Sequence, residues 1–189
     1  MNWFTEYGEK RKIMNIETKR LIIIALTPKQ LELWIDDLHQ LEKELNCSYH
    51  GEPIEGVFKD IIEGQISKAS EDSQYYLWHS FWFIMRKSDH KVVGCFDFKA
   101  KPNEKEEVEI GYGLGEAFEH HGYMSETVRA MCNWALQQPG VTHVIAETEK
   151  ENEASQRLLQ RCGFIEYLRN ETVWWRLSEK EYKKNYYEN

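Results

Sequence analysis

Between Glu106 and Leu136 the chain changes its hydrophobic period once, and that change limits what it can fold into. EEVEIGYGL (Glu106–Leu114) alternates as a strand does, whereas YMSETVRAMCNWAL (Tyr123–Leu136) carries Val128, Met131, Cys132 and Ala135 on one helical face. Pro139-Gly140 stops the helix, and THVIAETE (Thr142–Glu149) is a strand again. The link between strand and helix lies within GYGLGEAFEHHGYMSE (Gly111–Glu126), which holds four glycines and several carboxylates. A helix starting near Gly122 has unpaired N–H groups and the positive end of its dipole there, so a phosphate is the expected guest. A bulge and a plain loop would use Gly111, Gly113, Gly115 and Gly122 equally well.

The flanking segments complete the pattern. Leu21–Leu26 (LIIIAL) reads as a buried strand. TPKQLELWIDDLHQLEKEL follows, with Thr27 as helix cap, Pro28 in the first turn, Gln30 closing a capping box, and Leu31, Trp34, Ile35, Leu38 and Leu41 at helical spacing. Val57–Ala69 reads as a second helix with Val57, Ile61, Ile62 and Ile66 as its apolar set. Tyr75–Lys87, Lys91–Ala100 and Glu106–Leu114 form an antiparallel meander. After Thr142–Glu149 comes a short helix capped by Asn152, with Gly163 at its end, then a hairpin of Phe164–Leu168 and Thr172–Leu177. The tail from Ser178 onward reads as solvated. A strand–helix–strand unit after a meander gives an α+β fold, a mixed sheet with helices on both faces. Residues 1–15 read as an arm, 16–178 as one domain and 179–189 as a tail.

Composition narrows the function. No apolar run approaches the roughly 20 residues of a membrane span, and Leu21–Leu26 is too short for a signal sequence, so a cytoplasmic protein is expected. Cys47, Cys95, Cys132 and Cys162 form no CxxC pair, which argues for free thiols and against a metal site. A net charge of −8 argues against a nucleic-acid binder and suits a neutral or cationic partner.

GYGLGEAFEHHGYMSE, together with N-x-x-S-x-x-L-L-x-x-x-G-F within Asn152–Phe164, resembles the GNAT N-acetyltransferase superfamily, and within it the ribosomal-protein N-terminal acetyltransferase-like subgroup. The resemblance covers roughly Ile16 to Leu177. It implies a mostly antiparallel sheet with one splayed parallel pair, here Glu106–Leu114 and Thr142–Glu147, and acetyl-CoA as acyl donor held between them. The pantetheine arm would meet the backbone of Tyr112, Gly113 and Leu114, and the pyrophosphate that of His120, His121, Gly122, Tyr123 and Met124. Asn152 and Ser155 match the positions facing the pantetheine and the thioester. The acceptor it implies is a primary amine, either a protein N-terminus or a small cationic amine, attacking directly in a ternary complex. A homodimer is one assembly open to such a chain.

The sequence also departs from the family pattern. Glu119 replaces the usual basic or amide residue of the phosphate loop, and His120 stands where glycine is common. Glu119 is expected to face solvent while His120 or His121 turns to the phosphates, where a histidine would gain proton affinity. Leu159 takes the place of a tyrosine acid, which leaves Ser155 as hydrogen-bond donor. A lysine amine (pKa ~10.4) or an α-amine (~8) needs a base near neutral pH, and Glu109 is the candidate, with amides near Tyr112 or Gly113 facing the developing negative charge. Glu107 reads as part of a solvated strand face. Trp174 or Trp175 in the last hairpin is expected to border the acceptor. The missing loop cation and tyrosine also suit a catalytically impaired, CoA-binding protein of the same fold.

Overall fold

The computed structural model describes residues 14–187; the greater part of the expected arm and the last two tail residues lie outside them. The chain opens with β1 (Asn15–Glu17) and β2 (Leu21–Ala25), then α1 (Pro28–Asp36) and α2 (Leu38–Leu45). Thr27 and Gln30 form the expected capping box on α1. The single helix expected here is two, because Asp37 leaves helical geometry and caps α2 by accepting from the Gln40 amide at 3.0 Å.

β3 (Ser48–Tyr49), α3 (Gly56–Glu71), β4 (Phe81–Arg86), β5 (Lys91–Phe98) and β6 (Glu107–Leu114) follow. The strand expected from Tyr75 starts only at Phe81, since Ser73–Trp78 winds as 3-10 turns. That turn delivers Trp78 to a cluster with Phe98 and Trp134, so aromatic content there serves packing and not pairing. α3 departs from its expected apolar face as well. Ile62 is buried, but Val57 is 75% exposed and Ile61 40%. α4 (Tyr123–Leu136), β7 (His143–Thr148), α5 (Glu153–Arg161), β8 (Ile165–Arg169), β9 (Val173–Ser178) and α6 (Glu179–Tyr187) complete the described chain. The tail is therefore helical, and Tyr182 is buried with its hydroxyl donating to Arg129 O at 3.3 Å.

The sheet runs β1-β2-β4-β5-β6-β7-β9-β8, with β3 beside β5. Its neighbours are antiparallel except β6–β7 and the two-residue β3–β5 pairing. Two apolar layers clamp it. Val128, Met131, Cys132 and Ala135 of α4 pack with Phe96, Phe98, Val108 and Ile110 on one face. Leu31, Trp34, Leu41 and Ile62 from α1–α3 pack with Phe81 and Phe83 on the other. Each large side chain so buried contributes about 1.5–3 kcal/mol.

β6 and β7 pair only through Glu107–Glu109 and His143–Ile145. Beyond Glu109, β6 stays bonded to β5 through Ile110–Leu114, and β7 stays bonded to β9. The two parallel strands therefore part at Ile110 and leave a V-shaped gap toward their carboxyl ends. Below the gap Glu107 is not solvated as its neighbours suggested: it is buried and ion-paired with Arg176 of β9. Burial pushes its carboxyl pKa up, but hydrogen bonds from Arg176 and Asn103 outweigh that and hold it below the ordinary value. The pair thus stabilises the fold above the unfolded carboxylate pKa, and that contribution is lost as pH falls through the lower folded value. Glu107→Gln is expected to flatten the acid limb of a melting-temperature profile. At neutral pH Arg176→Met should cost about 1–2 kcal/mol, less than a fully buried pair because Arg176 is 38% exposed.

Candidate active site

The carboxyl end of the β6–β7 gap is built around the start of α4. Gly122 stands at the N-cap with φ 76°, a left-handed conformation that suits glycine, and no side chain caps the helix. Among the described residues the first α4 amide bonded to a carbonyl is that of Glu126, onto Gly122 O at 3.1 Å. The preceding amides are open to an anion. Tyr123 and Met124 send their side chains into the core, so only their backbone is available to a ligand.

Carboxylates at this helix start would repel such an anion, and the structure shows how the one within α4 is neutralised. Glu126 accepts from Arg20 Nε at 2.6 Å, from the Arg20 amide at 2.8 Å and from Thr18 Oγ1 at 2.6 Å. Burial raises its pKa, yet these hydrogen bonds bring it below the ordinary carboxylate value. Arg20 also donates through Nη1 to His121 O at 2.8 Å and lies over the Tyr123 ring. Arg20, just before β2, thus brings a cation to this loop and offsets the charge of Glu126 there. Sequence reasoning missed Arg20, because nothing local to TKRLIII points to a loop a hundred residues later.

The two loop histidines differ. His121 stacks on Tyr123, and its Nδ1 sits 2.6 Å from Glu119 O. The His120 side chain is 93% exposed, and its φ of 60° is the conformation in which glycine is favoured. His120→Gly is expected to raise stability by up to about 1 kcal/mol, strain relief outweighing the added chain entropy. A lowered melting temperature would contradict this account.

Tyr112 and Ser155 meet across the gap, their hydroxyl oxygens 2.8 Å apart. Asn152 caps α5 by accepting from the Ser155 amide at 3.0 Å, which orients the serine. Burial raises the Tyr112 pKa, so the phenol stays protonated and able to donate. The sequence marked Tyr112 only for its backbone; its hydroxyl also lies in the gap beside Ser155.

Gly111 and Gly113 prove to be places where carboxylates lie against the strand. A Cβ on Gly113 would meet the carboxyl group of Glu52, and one on Gly111 would stand 2.5 Å from Asp97 Oδ1 and Lys99 Nζ. Glu109 occupies the last paired position of β6, on the face shared with Gly111. Burial raises its pKa; Lys99 opposes this, while Glu147 and Asp97 add to it. Trp174 is half-buried in β9 opposite Glu147, whereas Trp175 is core, its Nε1 donating to Thr148 Oγ1 at 3.0 Å.

Comparison with known proteins agrees with this architecture. A family model described as the acetyltransferase (GNAT) domain matches residues 20–165. The uncharacterized N-acetyltransferase YjdG of Bacillus subtilis is 29% identical over 157 residues, covering 79% of this chain and 89% of that protein. Among solved structures, a ribosomal-protein-S5-alanine acetyltransferase from Vibrio fischeri superposes with TM-score 0.61 at 15% identity, over 90% of this chain and 99% of its own. A ribosomal L7/L12 alpha-N-protein acetyltransferase solved with coenzyme A gives TM-score 0.60 at 17% identity, over 87% and 98%. With its splayed strand pair, its uncapped helix start and this family match, the chain is a member of the GNAT acetyltransferase family and an acyltransferase enzyme.

Proposed function

We propose that the protein is an N-acetyltransferase that moves an acetyl group from acetyl-CoA to a primary amine, a protein N-terminus or a small cationic amine, in a ternary complex. The observation that carries this reading is the V-shaped gap opening at Ile110 toward an α4 start with no side-chain cap. That cradle fits a diphosphate-bearing thioester. Open amides of the first α4 turn would hold the phosphates, with Arg20 cancelling the charge of Glu126 beside them, and the backbone of Tyr112–Leu114 would hold the extended arm.

When bound, acetyl-CoA supplies an activated acyl carbon and a thiolate leaving group. The amine nitrogen forms the new C–N bond as the C–S bond breaks, and its proton passes to the Glu109 carboxylate. The sulfur leaves with the electron pair of that bond and needs little acid help at a thiol pKa of ~8.5. In this reading the Tyr112–Ser155 hydroxyl pair donates a hydrogen bond to it. A covalent cysteine route is disfavoured, since Cys95, Cys132 and Cys162 are buried and burial raises the pKa of each.

Acetyl-CoA in hundredfold excess over its Kd should stabilise the protein by about 2.7 kcal/mol. Thiol release should then appear with at least one primary amine. Stabilisation without turnover on any amine would sink the enzymatic part of this reading, and no stabilisation would sink the whole.

A further inference from the structure

The apolar layer of α1–α3 takes no residue from β7, β8 or β9, and α6 lies on the α4 side, where Tyr182 joins that layer. Among the described residues, the face opposite α4 is thus left without a helix over these three strands.

Strand register lays out what that face presents. One row across it reads Glu109, Ile145, Arg176 and Ile165; the next reads Glu147, Trp174 and Leu168. A bulge in β8 inserts Tyr167 between Glu166 and Leu168, which turns Tyr167 and Leu168 to the same side. Arg176 accordingly lies over the Tyr167 ring at 5.4 Å. Glu166 and Arg169 pair with each other on the α4 side, opposite Trp175 and Val173. Ile165, Tyr167 and Leu168 are 54%, 47% and 46% exposed, so one strand edge carries an apolar patch bordered by half-buried Trp174. Clustered apolar exposure of this kind marks a contact surface.

The row that ends in the patch begins at the proposed base. A molecule that presents its amine to Glu109 and extends along this face has the patch ahead of it. Trp174 lies two strands and two residues from Glu109, and Leu168 one strand further, which sets backbone separations of roughly 12–16 Å. The ground between holds two charged groups, exposed Glu147 and partly exposed Arg176. An alkyl chain crossing it would desolvate both charges and return no hydrogen bond, whereas the N–H and C=O groups of a peptide can replace the lost water. An extended peptide advances ~3.3 Å per residue, so its third to fifth residues come over the patch. Charge order agrees, with carboxylates at the amine end and apolar side chains at the far end.

We infer that Ile165, Tyr167, Leu168 and Trp174 form a specificity subsite for a polypeptide acceptor, taking an apolar side chain from its third to fifth residues while its α-amine meets Glu109. The direction of the chain rests on the acyl-transfer reading; the patch itself stands on register and exposure.

Calorimetric titration into the full-length protein with excess coenzyme A reads the subsite without turnover. The hexapeptide amide Ala-Gly-Leu-Leu-Leu-Gly is expected to bind about tenfold more tightly than Ala-Gly-Ser-Ser-Ser-Gly, which has the same length and charge. Combining Tyr167→Ser with Leu168→Ser should shrink that gap to about threefold or less. Both side chains are half-exposed, and should the pair cost the fold, Leu168→Ser alone carries the test. Equal binding of the two peptides, no heat from either, a gap that survives in the folded variants, or octylamine binding as tightly as the leucine peptide overturns the inference. A dimer in sedimentation that the double variant breaks overturns it too, since the patch would then belong to a second copy. If the leucine peptide binds as expected yet is not acetylated from acetyl-CoA, the acyl-transfer reading fails and the apolar subsite stands.

Discussion

Glu109→Gln lowers kcat/KM toward the amine by about a hundred- to a thousandfold, the usual worth of a positioned base, while stabilisation by acetyl-CoA persists. The expectation follows from where β6 puts this carboxylate. It is the last residue paired to β7, at the apex of the gap, on the sheet face opposite α4. Burial there raises its pKa, Lys99 opposes, and Glu147 and Asp97 reinforce the rise. A base raised toward the working pH holds an abstracted proton better than an ordinary carboxylate. The wild-type rate should therefore fall as pH drops through that raised value, and the variant should lose this limb.

Stability separates chemistry from damage. A carboxyl whose folded pKa is raised contributes stability below its unfolded pKa and loses it as pH rises through the folded one. At neutral pH the Glu109→Gln protein would thus be no less stable than the wild type with its ionised glutamate. A variant that melts at or above the wild-type temperature, yet is slow, identifies a base. Activity within threefold of wild type would remove Glu109 from the mechanism.

What the sequence disclosed about this site was its local half. The capping box at Thr27, the α4 stripe from Val128 to Ala135, the αL glycine at 122 and the Asn152 cap all arise from residues within a few positions of one another. Period and cap chemistry suffice to find these. The part that escaped is non-local. Glu107 looked solvated beside Glu106 because its partner, Arg176, arrives from β9. Arg20 reaches the α4 start from the bend before β2. Asp97 and Glu52 gather over Gly111 and Gly113 through the β5–β6 register and the loop after β3. The glycines suited a phosphate loop and a plain bulge equally in the sequence; only Gly122 belongs to the helix start, while Gly111 and Gly113 make room for carboxylates. In Tyr75–Ser80 aromatic content outvoted geometry, since a 3-10 turn can bury Trp78 as well as a strand can.

Trp34→Ala should have the largest effect on stability. Trp34 is fully buried in α1 and meets Tyr49, Phe58, Phe81 and Phe83 edge-on, with centroids 5.7, 5.7, 5.4 and 4.9 Å away. Truncating such a residue costs about 3–5 kcal/mol through lost transfer energy and the cavity left behind. A domain of this size holds only ~5–15 kcal/mol in total, and the melting temperature should drop by roughly 6–20 °C. Trp34→Phe should cost much less, about 1–2 kcal/mol, because it also removes the indole N–H, which is buried without a hydrogen-bond partner. That milder variant makes the functional point. Trp34 touches Phe58 and Phe81, which with Glu52 and Gly113 line a small cavity on this sheet face, and it packs on Tyr49, whose hydroxyl donates to Glu52 O. The α4 layer lies across the sheet and shares none of these contacts. Trp34→Phe is therefore expected to raise the KM for the amine severalfold while the Kd for acetyl-CoA stays within about twofold. Equal losses in both would mean that the two faces of the sheet act as one unit, and that the acceptor wall is not set by the α1–α3 layer alone.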